Sequence, residues 1–115
     1  MSLARCRSVA LAGVRGTVVV AAPAGEHHAL PAHMAAIALR YDGWRVHDLS
    51  TDVPSSDLAA FLQRERPELL VLSTTMPNPD ATATAHGAAD ELAIPVLIGV
   101  PGRRLDELVA AARDF

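Results

Sequence analysis

The chain has 115 residues, half of them hydrophobic and only 3% aromatic, with 20% charged and a formal net charge of −3. That length suits one domain with an aliphatic core, and the ten scattered Lys and Arg form no basic stripe, which argues against direct nucleic-acid contact. One cysteine, Cys6, excludes an internal disulfide and fits a reducing, cytoplasmic setting, and no apolar run approaches the ~20 residues of a membrane span.

Residues 1–15 carry three Arg and no continuous apolar core, so they do not read as a signal peptide; Leu3, Cys6 and Ala10 are spaced for a leading helix over 2–13. "GTVVVAA" (16–22) is β-branched and continuous, the pattern of a strand buried on both faces. A helix is expected over 30–42, with Leu30, Met34, Ile37, Ala38 and Tyr41 as its inward stripe and Pro31 tolerated in the first turn. Asp42-Gly43 ends it. "WRVHDL" (44–49) alternates, Trp44 and Val46 against Arg45 and His47, as an outer strand would. After Pro54 a second helix places Leu58, Phe61 and Leu62 inward and stops before Pro67. "ELLVLS" (68–73) and "IPVLIGV" (94–100) read as central strands. Between them a third helix starts at Asn78-Pro79 and runs to about Leu92. A fourth spans Arg104 to Arg113, with Leu105, Leu108 and Val109 inward.

Strand and helix alternate, so the fold class is α/β: a flavodoxin- or Rossmann-like open parallel sheet of order 2-1-3-4 with helices on both faces. The fifth strand usual in such sheets is missing from the pattern. Ligands of open α/β sheets sit beyond the carboxyl ends of the strands. Three unusual loops fall there: "PAGEHHALP" (23–31), "STTMPNP" (73–79) and "GVPGRR" (99–104). In extended backbone Glu26 and His28 point the same way. A carboxylate so placed takes the proton of one ring nitrogen and leaves the other for a metal. His27 reads as a solvated loop residue. His33 lies near enough in sequence to reach the site, yet it, His47 and His86 read as structural. Met34 and Met76 read as gap-fillers and Trp44 as strand packing. No Ser-His-Asp or Cys-His arrangement is visible, so no catalysis is expected of this chain alone.

These residues carry a family resemblance. "GEHHALP", an aliphatic helix, and "YDGWRVHDLSTDVPSSDLAAFLQRERPELLVLSTTM" resemble the cobalamin (vitamin B12)-binding domain. That family has an acidic residue, x, His, x, x, Gly after strand one, then a G-W-x-V strand and an L-x-x-x-V-P turn, here Leu49 to Pro54. A Ser follows strand three and a glycine pair follows strand four. The likeness covers 16 to about 110. It is nearest to the domain of light-sensing MerR-type transcriptional regulators, where Glu leads the motif, and is related to methionine synthase, methylmalonyl-CoA mutase and corrinoid methyl carriers.

The resemblance implies a leading segment at 1–15 and a cobalamin-binding domain at 16–115. It makes His28 the lower ligand to cobalt, in place of the cofactor's own benzimidazole, and Glu26 the partner that tunes it. Ser73 and Thr75 would line the slot for the displaced nucleotide tail, and Gly99 and Gly102 would admit it. The cofactor would be adenosyl- or methylcobalamin and the role a sensor, with homo-oligomerisation as output and no membrane or direct nucleic-acid contact. Two departures stand out: Pro31 replaces the motif's Gly, and Val100 replaces the second glycine of the pair. They favour one alternative, a degenerate fold used as a dimerisation or interaction module. The other alternative is a corrinoid methyl carrier. The cap over the upper face and the DNA-binding helices of the regulators have no counterpart in these residues. A phosphoacceptor receiver would need acidic residues after strands one and three, and a flavin carrier a hydroxyl-rich phosphate loop; neither pattern is present.

Overall fold

The computed structural model describes residues 15–49, 51–74, 79–99 and 105–115. The leading segment at 2–13 therefore lies outside the described residues. The elements alternate as β1 (Gly16–Ala21), α1 (Ala29–Tyr41), β2 (Trp44–Asp48), α2 (Ser55–Glu65), β3 (Leu69–Ser73), α3 (Pro79–Asp90), β4 (Val96–Gly99) and α4 (Leu105–Ala112). The strands are parallel in the order β2-β1-β3-β4, as expected from the sequence. Val18 pairs with Val46 on one side and Leu69 on the other, which fixes the register at the centre of the sheet.

Strand alternation divides the core in two. Val18, Val20, Leu69 and Val71 pack under α1 and α4, against Ala32, Ala35, Ala36, Leu39, Leu108 and Ala112. Val19, Ala21, Leu70 and Leu72 face α2 and α3, against Leu58, Leu62, Ala85 and Ala89. Trp44 is buried in the first layer, as its alternation indicates, and Leu105 and Val109 pack against that layer.

Two expectations fail. The large apolar residues of α1 do not face the sheet: Leu30, Met34, Ile37 and Tyr41 are 65%, 42%, 44% and 93% exposed, and Ala38 is half-buried. The buried face is Ala32, Ala35, Ala36 and Leu39. Both faces of α1 are apolar, so period alone cannot choose between them. A sheet surface already filled by Val and Leu has room only for small side chains, and the alanines let α1 approach. Met34 is therefore a surface residue and not a gap-filler. The second failure is β4. Its run reads as central, yet all of its residues are half-buried, because it forms the open edge beside β3.

Helix α1 ends where the sequence says it should. The Asp42 N–H reaches Ala38 O and Leu39 O, and Gly43 takes φ 98°, a left-handed value that disfavours any side chain. The Asp42 carboxylate then gathers both ends of the described chain. Arg113 grips it with two nitrogens, Nη2 at 2.7 Å from Oδ1 and Nε at 3.0 Å from Oδ2. Arg15 Nε lies 3.1 Å from Oδ2, and Arg15 N–H donates to Gly43 O. The hydrogen bond from Arg113, helped by the two positive charges and opposed by partial desolvation, lowers the Asp42 pKa.

A lowered carboxylate pKa contributes stability above the unfolded-state value and loses it as pH falls through the folded one. Asp42→Asn is expected to melt below the wild type at pH 7. The gap should shrink in melts taken below the ordinary carboxylate pKa of 3.8. An equal gap at both pH values would show that the ion pairs contribute nothing.

Candidate functional site

The loop after β1 is built by local rules. Glu26 N–H donates to Pro23 O at 3.0 Å, closing a four-residue turn whose third residue, Gly25, has φ 89°. A type II turn needs a positive φ at that position, and glycine supplies it without steric cost. The turn delivers Glu26 to a buried place, 3% exposed, at the carboxyl end of β1.

The Glu26 carboxylate is held at both oxygens. Oε2 accepts from His28 Nδ1 at 2.8 Å and more weakly from His28 N–H at 3.4 Å. Oε1 accepts from the Thr74 hydroxyl at 3.3 Å. A carboxylate only accepts, so its short contact places a proton on Nδ1 and leaves Nε2 as the lone-pair nitrogen. His28 has φ −84° and ψ 100°, which is extended, and it immediately precedes α1 without capping it. Its side chain is 61% exposed. The i, i+2 arrangement read from the sequence is thus present, with the imidazole open to solvent.

A second loop braces the first. Asp52, between β2 and α2, accepts from Gly25 N–H at its Oδ1 (2.8 Å) and donates its own N–H to Glu26 O (2.9 Å). Pro23 and Val53 form an isolated parallel bridge beside these bonds. Across the sheet, Ser73 and Gly99 are register partners at the ends of β3 and β4. Ser73 is buried, and by alternation it lies on the same side as Leu69 and Val71, the α1 and α4 side. A Cβ added at Gly99 would find nothing closer than Leu72 O at 3.9 Å, so the protein's own packing does not require glycine there. Room beside a strand end suits an outside group that approaches closely.

Glu26 and His28 therefore come together, and Ser73 and Gly99 sit side by side at neighbouring strand ends; Thr75 and Gly102 lie outside the described residues, as does Val100. Pro31 is exposed at the third position of α1 and does not cover His28. Thr74 and Asp52 were missed in the sequence. The signal for Thr74 was the hydroxyl run 73–75 opposite an acid that needed donors. Asp52 sat unread inside the L-x-x-x-V-P turn. Three other histidines pair elsewhere: His33 Nδ1 with Asp48 at 3.3 Å, His47 Nε2 with Glu65 at 3.8 Å, His86 Nδ1 with Asp90 at 3.2 Å. Among the described residues no three His, Cys, Asp or Glu are grouped to hold a metal ion. One imidazole fits a metal that brings its remaining ligands with it, and cobalt accepts imidazole well.

Comparison with known proteins identifies the family. A family model described as the B12 binding domain matches residues 16–114, and the chain belongs to that family. It is 35% identical over 66 residues to the methanol–corrinoid protein of Methanosarcina barkeri, covering 54% of this chain and 26% of that one. Among solved structures it resembles the methanol:cobalamin methyltransferase complex MtaBC of the same organism, with TM-score 0.71, 27% identity, and coverage of 89% of this chain and 41% of that one. A cobalamin-binding protein of Desulfitobacterium hafniense (TM-score 0.70, 22% identity, 87% and 50% coverage) shares the fold. So does a monomethylamine corrinoid protein of M. barkeri (TM-score 0.70, 15% identity, 87% and 57% coverage). The chain thus spans about a quarter to about half the length of these proteins.

The Glu26 contact has a measurable consequence in the protein alone. Nitrogen-15 NMR of the wild type should show His28 mainly with its proton on Nδ1. In Glu26→Ala that preference should fall, while His86, with its own carboxylate partner, should not change. An unchanged His28 tautomer would mean the 2.8 Å contact does not govern the ring.

Proposed function

We propose that this B12-binding protein holds a corrinoid over the carboxyl ends of its strands, with His28 Nε2 as the lower ligand to cobalt, and serves as a methyl-carrier domain. The observation that carries the ligand assignment is the 2.8 Å contact between His28 Nδ1 and the buried Glu26 carboxylate. A metal-binding histidine needs its second nitrogen tied down, and outer partners of this kind change metal affinity by about 10- to 100-fold. Glu26 does this at one oxygen while Thr74 steadies the other, so the ring's rotation and its tautomer are both set before any ligand arrives. Bound, the cofactor supplies a cobalt centre that accepts and releases a methyl group.

The chain's own residues provide orientation and space. Ser73 and Gly99, and by the family pattern Thr75 and Gly102, would border the nucleotide tail on the α1 and α4 side. The alanine face of α1 lets the helix lie close to the sheet on that side. In this reading the domain acts as a carrier, and enzymes that donate or take the methyl group are its partners. The carrier reading is preferred because the named relatives are corrinoid and methyltransferase proteins. The acid that leads the motif, Glu26, by which the sequence resembles the domain of light-sensing regulators, favours a second reading as a light- or ligand-sensing domain whose output is self-association.

Hydroxocobalamin is to be added to the wild type and to His28→Ala, followed by desalting and a visible spectrum. Wild type should retain the chromophore, and the variant should bind about tenfold more weakly or worse. Equal retention with an unaltered spectrum would remove His28 as ligand, and no retention by either would point to the interaction-module reading. Gel filtration of the adenosylcobalamin-loaded protein in darkness and after illumination separates the two roles: a light-dependent change in size supports the sensor and overturns the carrier.

A further inference from the structure

We infer that Asp52 is a positioning residue for the cobalt-facing histidine, acting through Glu26; the inference rests on the reading of His28 as ligand. The loop that carries Asp52 is pinned at both ends to the strand that leads into the site. Leu49 N–H donates to Val20 O at 2.9 Å and Val53 N–H to Ala22 O at 3.0 Å. Asp52, within that loop, has φ 53°, one of three left-handed non-glycine residues among those described. Left-handed backbone is uncommon outside glycine, and it persists only where surrounding structure holds it.

What holds it is the turn that presents Glu26. The two bonds run in opposite directions between the same two segments: Gly25 N–H to Asp52 Oδ1 at 2.8 Å, and Asp52 N–H to Glu26 O at 2.9 Å. A single bond would let the turn pivot. Two bonds, flanking the peptide between Gly25 and Glu26, fix both the peptide plane and the direction in which the Glu26 side chain leaves it. The Glu26 side chain in turn fixes the His28 ring. The β2–α2 loop therefore has a line of control, through Glu26, to the ring of His28.

Three variants separate backbone conformation from hydrogen bonding. Asp52→Asn keeps an Oδ1 acceptor and tolerates the left-handed backbone. Asp52→Gly keeps the backbone and deletes the acceptor. Asp52→Ala loses both. Each is first shown to be folded by circular dichroism. The protein is then labelled with nitrogen-15 histidine, loaded with hydroxocobalamin, reduced to the cob(II)alamin form and read by electron paramagnetic resonance, where splitting from a labelled axial nitrogen reports the protein's own ligand. Asp52→Asn should retain the labelled-nitrogen signal and an affinity within about twofold of wild type. Asp52→Gly and Asp52→Ala should lose the signal and bind about tenfold more weakly. Wild-type signal and affinity in folded Asp52→Gly would overturn the inference. Loss in Asp52→Asn equal to that in Asp52→Gly would also overturn it, since charge and not placement would then matter. Should the wild type show no protein nitrogen on cobalt, the ligand reading fails by itself. The apo protein then decides for Asp52: His28 ring-nitrogen shifts must move in Asp52→Gly and stay in Asp52→Asn, and unmoved shifts in both reject it.

Discussion

A carboxylate withdrawn from water beyond the buried carboxyl end of β1 must find donors, and the loops of this protein are arranged around that requirement. Glu26 is 3% exposed, and an ionised acid in such a place is costly unless hydrogen-bonded. Its donors come from two parts of the chain: His28, two residues on, and Thr74, 48 residues away at the end of β3. The backbone that carries it is closed by a turn onto Pro23 and clamped by Asp52. Stability and function coincide here, because the group that most needs a partner is satisfied by the group that most needs orienting. A histidine so used donates at one nitrogen and leaves the other available.

The architecture was legible because it is written in long-period features. Continuous Val and Leu runs mark β1 and β3, alternation marks β2 as an edge, and Pro, Gly and Asp mark the ends of the helices. These features depend on each element's own composition. The face of α1 was not legible for the opposite reason. Its orientation depends on how much room the sheet leaves, and that is a property of the residues of β1 and β3 facing it. Size decided where hydrophobicity could not: Ala32, Ala35 and Ala36 go in, and Leu30, Met34, Ile37 and Tyr41 go out. The same holds for β4, whose composition suits a centre but whose position depends on what pairs beyond it.

The site divides along similar lines. Glu26 and His28 were readable because they lie two residues apart in extended backbone, a relation that needs no knowledge of the fold. Thr74 and Asp52 were not, because their partners lie 48 and 27 residues away and meet only after the sheet has formed. Ser73 was readable as a small group at a strand end, but its neighbour Gly99 acquires meaning only from the register that sets the two side by side. Sequence spacing therefore revealed the histidine and its immediate partner, and topology supplied the parts that hold the partner still.

Helix α1 joins these levels. It begins beside His28, whose ring is tied to Glu26 at the carboxyl end of the sheet, and it ends at Asp42, whose carboxylate holds Arg15 and Arg113 at the amino end. Thirteen residues at about 1.5 Å each make a strut of roughly 20 Å between two carboxylate anchors. Its underside is alanine, so it lies close to the sheet, and little side-chain bulk separates it from the strands. A helix seated that closely, and pinned at both ends, cannot slide without breaking one anchor. The height of His28 above the strand ends is thereby set from the far side of the domain as well as from its own loop. For the proposed role such rigidity would matter, since among the described residues no three His, Cys, Asp or Glu are grouped to hold a metal ion.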